Sequence, residues 1–140
     1  LEVSAQLRAQ LPEHCKVLSS DVKVRIEASD LSTYPDVSVV CGPAHRDGVD
    51  ANAITNPVLV VEVTSPSSED YDRGEKLSHY KQLPSLKAVV LVSHKLRRVT
   101  VIAREEGWSV TEFRSGEVAR VCEPQATIDV DRLYKAIEGL

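Results

Sequence analysis

The sequence is poor in aromatic residues and has no excess of positive charge, and both shortages bear on how it could hold a nucleic acid. Aromatic side chains make up 4% of its 140 residues, which disfavours sequence-specific readout by this domain alone. The formal net charge is -4 at pH 7, whereas domains that depend on nonspecific attraction to phosphates are usually basic. Any phosphate contact would therefore depend on local basic positions.

Cysteine is also scarce, and its spacing argues against the common zinc frameworks. Cys15, Cys41 and Cys122 are an odd number without a CxxC pair, while zinc frameworks need closely spaced pairs. The histidines form no ligand spacing such as HxxxH; they are His14, His45, His79 and His94. We therefore predict reduced cysteines with structural roles, and we assign no role to any histidine.

Several targeting and catalytic motifs are missing as well. Nothing resembles a signal peptide, and no apolar run approaches the roughly 20 residues that span a bilayer. We therefore expect a cytoplasmic protein without a membrane partner. There is no glycine-rich phosphate loop, and Ser65 and Ser67 flank Pro66 without a nucleophile elbow, which disfavours serine hydrolase chemistry.

What remains is a chain of ordinary globular composition. With 42% hydrophobic and 27% charged residues, it is predicted to form one domain over residues 1–140. The apolar patterns give the order helix, three strands, helix, strand, β-meander and closing helix. The second helix is predicted to begin at Ser67 or Ser68 and to end at Pro84. A helix between strands suggests a parallel crossover, so the expected class is α/β with a mixed sheet.

Two acidic residues interrupt apolar strand sequences. Glu62 lies in "LVVEVTS", and Asp36 opens "YPDVSVV". An ionised carboxylate in a strand buried on both faces costs several kcal/mol unless it is compensated. On neighbouring strands the two acids would point at a common spot, where their repulsion raises a pKa or demands a cation. Such oxygen ligands suit Mg²⁺ or Mn²⁺. The alternative is that both acids cap strand ends at the surface.

These residues and their surroundings resemble a known family. "YPDVSVV" and "NPVLVVEVTSPSSEDYDRGEKLSHYKQLPSL" are similar to the Uma-type restriction endonuclease family, a domain-of-unknown-function branch of the PD-(D/E)XK nuclease superfamily. The similarity runs from about Ser20 to Ser93. It implies a restriction-endonuclease-like αβββαβ core with a mixed sheet, extended here by an antiparallel β-meander and a C-terminal helix.

The resemblance also implies the members of a metal site. Asp36 matches the acid of the superfamily's PD element, Glu62 matches the second acid, and the main-chain carbonyl of Val63 is a further metal ligand. The lysine expected two residues after Glu62 is Thr64 here, which cannot supply positive charge. In relatives this lysine has moved to the following helix, which implies Lys76. Asp36, Glu62 and Lys76 are thus the expected catalytic residues.

Two hypotheses of function follow. The first is a metal-dependent endonuclease that hydrolyses phosphodiester bonds in nucleic acid, with DNA as the favoured substrate and Mg²⁺ or Mn²⁺ as cofactor. Phosphate contacts would come from Arg73, Lys76, Lys81 and the turn at 95–98. The alternative is a catalytically inactive nuclease-like module for binding or assembly, which the missing strand lysine favours and the intact pair of acids does not. A homodimer through the meander at 99–122 is compatible with both.

Overall fold

The structure is a computed structural model that describes residues 2–68, 71 and 73–138. Within these ranges the α-helices are α1 (Glu2–Gln10), α2 (Glu75–Tyr80) and α3 (Val130–Glu138), and Tyr71 and Arg73 before α2 are also helical. The strands are β1 (Cys15–Leu18), β2 (Lys23–Ile26), β3 (Leu31–Thr33), β4 (Val37–Cys41), β5 (Ala53–Ile54), β6 (Leu59–Val63), β7 (Ala88–Val92), β8 (Arg98–Ala103), β9 (Ser109–Arg114), β10 (Val118–Cys122) and β11 (Gln125–Asp129). None of the described helices has the length and apolarity to cross a bilayer.

A six-stranded mixed sheet carries the fold, with the strand order β1-β4-β6-β7-β8-β9. The central strands β6 and β7 are parallel, and α2 lies between them in the chain. The other neighbours in this sheet pair antiparallel. The predicted α/β class, the mixed sheet, the crossover and the closing helix are therefore confirmed.

Apolar side chains alternate along the central strands and build a core on each face of the sheet. On one face, Val39 and Val61 pack with α1, α3 and the β10–β11 hairpin. On the other face, Val40 and Val60 pack with α2 and with the small sheet β3-β2-β5. Strands buried on both faces need apolar residues at nearly every position, which explains the dense valine and leucine runs of β6 and β7.

The structure departs from the predicted element order in several places, and its strands β3 and β11 were not predicted. β10 leaves the meander and pairs with β11 in a separate two-stranded sheet. β5 lies in the segment 44–55, which was predicted as a loop, and it is too short for a periodic pattern. The predicted helix is interrupted: Tyr71 and Arg73 are helical, Gly74 forms a turn, and α2 continues from Glu75. Residues 69, 70 and 72 of the predicted helix lie outside the described residues.

The prediction of reduced cysteines is wrong for Cys15 and Cys41, which form a disulfide. Cys15 begins β1 and faces Cys41, which ends β4. Beside them the Gly42 N–H donates to the His14 carbonyl at 2.8 Å, so the cysteines are a non-hydrogen-bonded pair, whose side chains lie closest in an antiparallel ladder. Cys122 is free and exposed. Strand register, which no local spacing reveals, brings the two sulfurs together.

An ion cluster holds α3 against the turn between β9 and β10. Arg97 donates to Asp131 at 2.8 Å and to Glu138 at 2.6 Å. Asp131 also accepts hydrogen bonds from the Ser115 hydroxyl and the Gly116 N–H, both at 2.6 Å. The hydrogen bond from Ser115, followed by those from Arg97 and Gly116, lowers the pKa of Asp131 to about 2.

We expect Asp131→Asn to destabilise the protein at neutral pH and to have less effect in acid. A carboxylate whose pKa falls on folding stabilises the protein above its unfolded pKa of about 4, and this contribution disappears as the pH falls through about 2. The free energy of urea unfolding should therefore differ between wild type and variant at neutral pH, and the difference should shrink between about pH 4 and pH 2. Glu123→Gln, at an exposed acid 3.9 Å from Lys87, is the control. A difference that persists undiminished in acid would contradict the assignment.

Candidate functional site

The two acids lie side by side at one end of the central strands. The register of Val37 with Val61 sets Asp36, the residue before β4, opposite Glu62 on β6. The Asp36 N–H donates to Glu62 Oε1 at 3.2 Å, and Asp36 Oδ2 accepts from the Val63 N–H at 2.7 Å. The structure thus brings together the two acids that the sequence singles out.

The sheet opens at this point because Pro35 precedes Asp36. Proline has no N–H to donate to a neighbouring strand, and the pairing of β4 with β6 accordingly stops at Val37. The Val63 N–H is bound by the Asp36 carboxylate instead. Since the N–H and C=O of one strand residue point to the same edge, the Val63 carbonyl faces the same gap.

Glu62 is buried, and its charge is compensated from α2. The residue is 4% exposed, and the Lys76 ammonium forms an ion pair with its Oε2. The Lys76 ammonium also lies 5.9 Å from the centroid of the Tyr80 ring, one turn further along the helix. The alternative that both acids are surface caps is therefore wrong for Glu62, while Asp36 is half-buried.

Thr64 occupies the position of the expected strand lysine and joins the ends of β6 and β7. It is 2% exposed. Its hydroxyl donates to the Val92 carbonyl at 3.3 Å and accepts from the His94 N–H at 3.3 Å. The His94 Nδ1 lies 3.1 Å from the same oxygen. His94, to which sequence analysis assigned no role, therefore helps to hold the strand ends beside the site. No spacing in the sequence indicates this contact.

Four of the basic residues predicted to contact phosphates are engaged within the protein, among them Lys76 with Glu62 and Arg98 with Glu112 at 4.0 Å. Arg73 donates to the hydroxyl of Thr100, a fully buried residue of β8, at 3.2 Å. Arg97 is held by the acids of the α3 cluster. Lys81 is half-buried and Lys95 is exposed. Phosphate contacts through Lys81 and Lys95 stay a prediction.

The site offers oxygen ligands that fit a hard divalent cation. Asp36 Oδ1 accepts no hydrogen bond from the described part of the chain, and it shares the gap with the Glu62 carboxylate and the Val63 carbonyl. Carboxylate and carbonyl oxygens suit Mg²⁺ and Mn²⁺. Two carboxylates that lie this close repel each other, which favours a cation between them.

The α/β fold with its mixed sheet is the one expected of a restriction-endonuclease-like domain. The chain belongs to the family described as "Uma2: Putative restriction endonuclease", whose model matches residues 1–131.

Two uncharacterized relatives are similar to most of this chain. The chain is 34% identical to the uncharacterized protein slr1290 of Synechocystis sp. over 125 residues, which are 88% of this chain and 65% of the relative. It is 30% identical to the uncharacterized protein sll1609 of the same organism over 108 residues, which are 76% of this chain and 60% of the relative. The chain thus spans less than two thirds of these curated relatives.

The fold is also that of a solved structure from another organism. The crystal structure of a "putative nuclease belonging to DUF820" from Anabaena variabilis superposes with a TM-score of 0.69. The alignment covers 95% of this chain and 74% of that chain at 17% sequence identity. At this identity the likeness establishes the shared fold.

We expect Thr64→Val to destabilise the protein by about 2 kcal/mol, because it removes a buried hydroxyl that bonds two strand ends. Thr64→Ser keeps the hydroxyl and should cost about 1 kcal/mol for the lost methyl group. Urea unfolding of the two variants beside the wild type measures both values. Equal stability of Thr64→Val and wild type would mean that these hydrogen bonds contribute nothing.

The ion pair of Glu62 and Lys76 should show strong coupling. Lys76→Met should cost about 3 kcal/mol of unfolding free energy, because it deprives a buried carboxylate of its cation. Adding Glu62→Gln to this variant should restore part of the loss, because the buried side chain at position 62 then carries no charge. Lys81→Met, at a half-buried lysine without an ion pair in the described residues, is the matched control. Purely additive effects in the double-mutant cycle would exclude the pairing.

Proposed function

We propose that the protein is a metal-dependent nuclease that hydrolyses phosphodiester bonds in nucleic acid, with DNA as its substrate. The proposal rests on the continuous contact from the Asp36 N–H to the Glu62 carboxylate and on to the Lys76 ammonium. Such hydrolysis needs acids that hold a metal ion and a positively charged side chain that approaches the phosphate. Membership in a family described as "Putative restriction endonuclease" supports the same class.

Each residue of the site has a distinct role in this proposal. Asp36 and Glu62 would hold Mg²⁺ or Mn²⁺, with the Val63 carbonyl as a further oxygen ligand. When bound, the ion would lower the pKa of a water molecule and offset negative charge on the phosphate. Lys76 would donate a hydrogen bond to a phosphate oxygen or to the attacking water, in place of the lysine that Thr64 replaces.

The orientation of the acids would be set before substrate arrives. Asp36 is fixed by the Val63 N–H at 2.7 Å, and Glu62 is held between the Asp36 N–H and Lys76. Side chains fixed in this way lose little further entropy on binding a ligand, which is the advantage of a preorganised site. DNA would be held by local basic positions, since the net charge of the chain is -4.

Calorimetric titration with Mg²⁺ and with Mn²⁺ tests the metal site. Asp36→Asn and Glu62→Gln should each weaken binding by about tenfold or more, because each removes ligand charge at nearly constant volume. Lys76→Met should retain binding, since it removes no ligand. Asp21→Asn, at an exposed acid in the turn before β2, is the control and should bind as the wild type does.

Cleavage of supercoiled plasmid DNA in Mg²⁺ tests the activity. Asp36→Asn, Glu62→Gln and Lys76→Met should each lower the rate by roughly 100-fold or more, and chelation of the metal should abolish it. Single-stranded DNA and RNA in parallel assays test the choice of substrate. If the wild type binds no divalent ion at millimolar concentration, or if both acid variants bind as it does, the nuclease proposal fails. The catalytically inactive nuclease-like module then replaces it.

A further inference from the structure

Three side chains that commonly ligate metals meet where β1 pairs with β4. One ligand atom from each of His14, Cys15 and Cys41 lies within 4.8 Å of the other two. Among the described residues, no other three His, Cys, Asp or Glu side chains meet this closely. His14 is exposed, and Cys41 lines an open surface cavity of about 830 Å³. The cluster is therefore reachable from solvent.

We propose that His14 and the reduced thiols of Cys15 and Cys41 form a binding site for a thiophilic divalent cation such as Zn²⁺. In the structure the two sulfurs are bonded to each other. A dithiol reductant would break this bond by giving two electrons and two protons, which yields two thiols and leaves the reductant as a disulfide. Each thiol then loses its proton when it binds the metal.

The strand pairing brings the ligands to suitable places without the disulfide. Four residue pairs join β1 to β4, from Cys15 with Cys41 to Leu18 with Ser38. The Gly42 N–H holds the His14 carbonyl at 2.8 Å. Two thiolates on a tetrahedral zinc ion lie about 3.8 Å apart, given Zn–S bonds of about 2.3 Å. Directly opposite cross-strand side chains are spaced for such an arrangement.

The donor atoms of the proposed site determine which metal ion it binds. Two thiolates and an imidazole select Zn²⁺ and similar ions, whereas Mg²⁺ and Ca²⁺ require oxygen ligands. Three protein ligands leave the fourth position of a tetrahedral ion open to water. Because the sulfurs bind either each other or the metal, occupancy of the site depends on the redox state of the cysteine pair.

Co²⁺ is the probe that tests the site, because thiolate ligation gives it a charge-transfer absorption band. The full chain, reduced with a phosphine and shown by thiol titration to hold all three thiols, should develop this band, and Zn²⁺ should displace it. The band should be weakened in Cys15→Ser and in Cys41→Ser, and it should be lost in the double variant. His14→Ala should weaken Co²⁺ binding by about tenfold or more. Cys122→Ser, at the free exposed cysteine, is the control and should leave the band unchanged.

Four results would overturn the proposal. They are the absence of the band in the reduced wild type, its persistence in the Cys15→Ser, Cys41→Ser double variant, its loss in Cys122→Ser, and unaltered affinity in His14→Ala. The last variant changes an exposed side chain, so it tests the site even if the cysteine variants fail to fold. Asp36→Asn and Glu62→Gln should leave the band unchanged, since these residues supply no sulfur. The outcome is therefore independent of the nuclease proposal.

Discussion

The buried carboxylate of Glu62 is the constraint on which the architecture around the site depends. β6 lies between β4 and β7 and is covered on both faces, so Glu62 is 4% exposed. An ion in such a place costs several kcal/mol unless its hydrogen bonds and charge are satisfied. The partners are the Lys76 ammonium on α2 and the Asp36 N–H at the entrance of β4. The buried charge of Glu62 is thus tolerated only when α2 and β4 are packed against β6.

The same requirement explains the position of α2. A helix of six residues is not stable alone, and Gly74 before it lowers the propensity further. Two polar contacts fasten this segment to the sheet, from Arg73 to Thr100 on β8 and from Lys76 to Glu62 on β6. Tyr80 adds a buried apolar contact on the same side. The position of α2 is therefore set by tertiary contacts. The ion pair that compensates the charge of Glu62 also orients this helix, which carries Lys76.

Features of the site that are visible in a few consecutive residues were predictable from the sequence. Contacts between residues far apart in sequence were not. An acid within an apolar strand is visible in a few letters, so Glu62 and Asp36 could be named from the sequence. Lys76 lies 14 residues from Glu62 and was indicated only by the family resemblance. Thr64 and His94 are 30 residues apart, and nothing local connects them.

The fold shows the same division. The long periodic strands and the crossover helix followed from hydrophobic pattern, whereas β3 and β5 have three and two residues and leave no period to detect. The cysteine prediction failed for a related reason. Rules of cysteine spacing describe ligands on one turn or hairpin, but Cys15 and Cys41 are 26 residues apart in sequence and meet through antiparallel register.

β4 runs from the carboxylate site to the cysteine pair, so the two ends of this strand carry different kinds of potential ligand. Asp36 precedes this strand and Cys41 ends it, so the acids and the sulfurs are about 17 Å apart at about 3.4 Å per residue. Under the two proposals, oxygen ligands at one end and, after reduction of the disulfide, thiolates at the other would favour different ions. Two unit charges at this distance interact with only about 0.2 kcal/mol in water. The distance also exceeds the Debye length of about 8 Å, so salt screens the interaction further. Any influence of the cysteine redox state on the acids would therefore pass through packing and strand pairing, such as the pairing of Val37 with Val61 that sets how close Asp36 lies to Glu62.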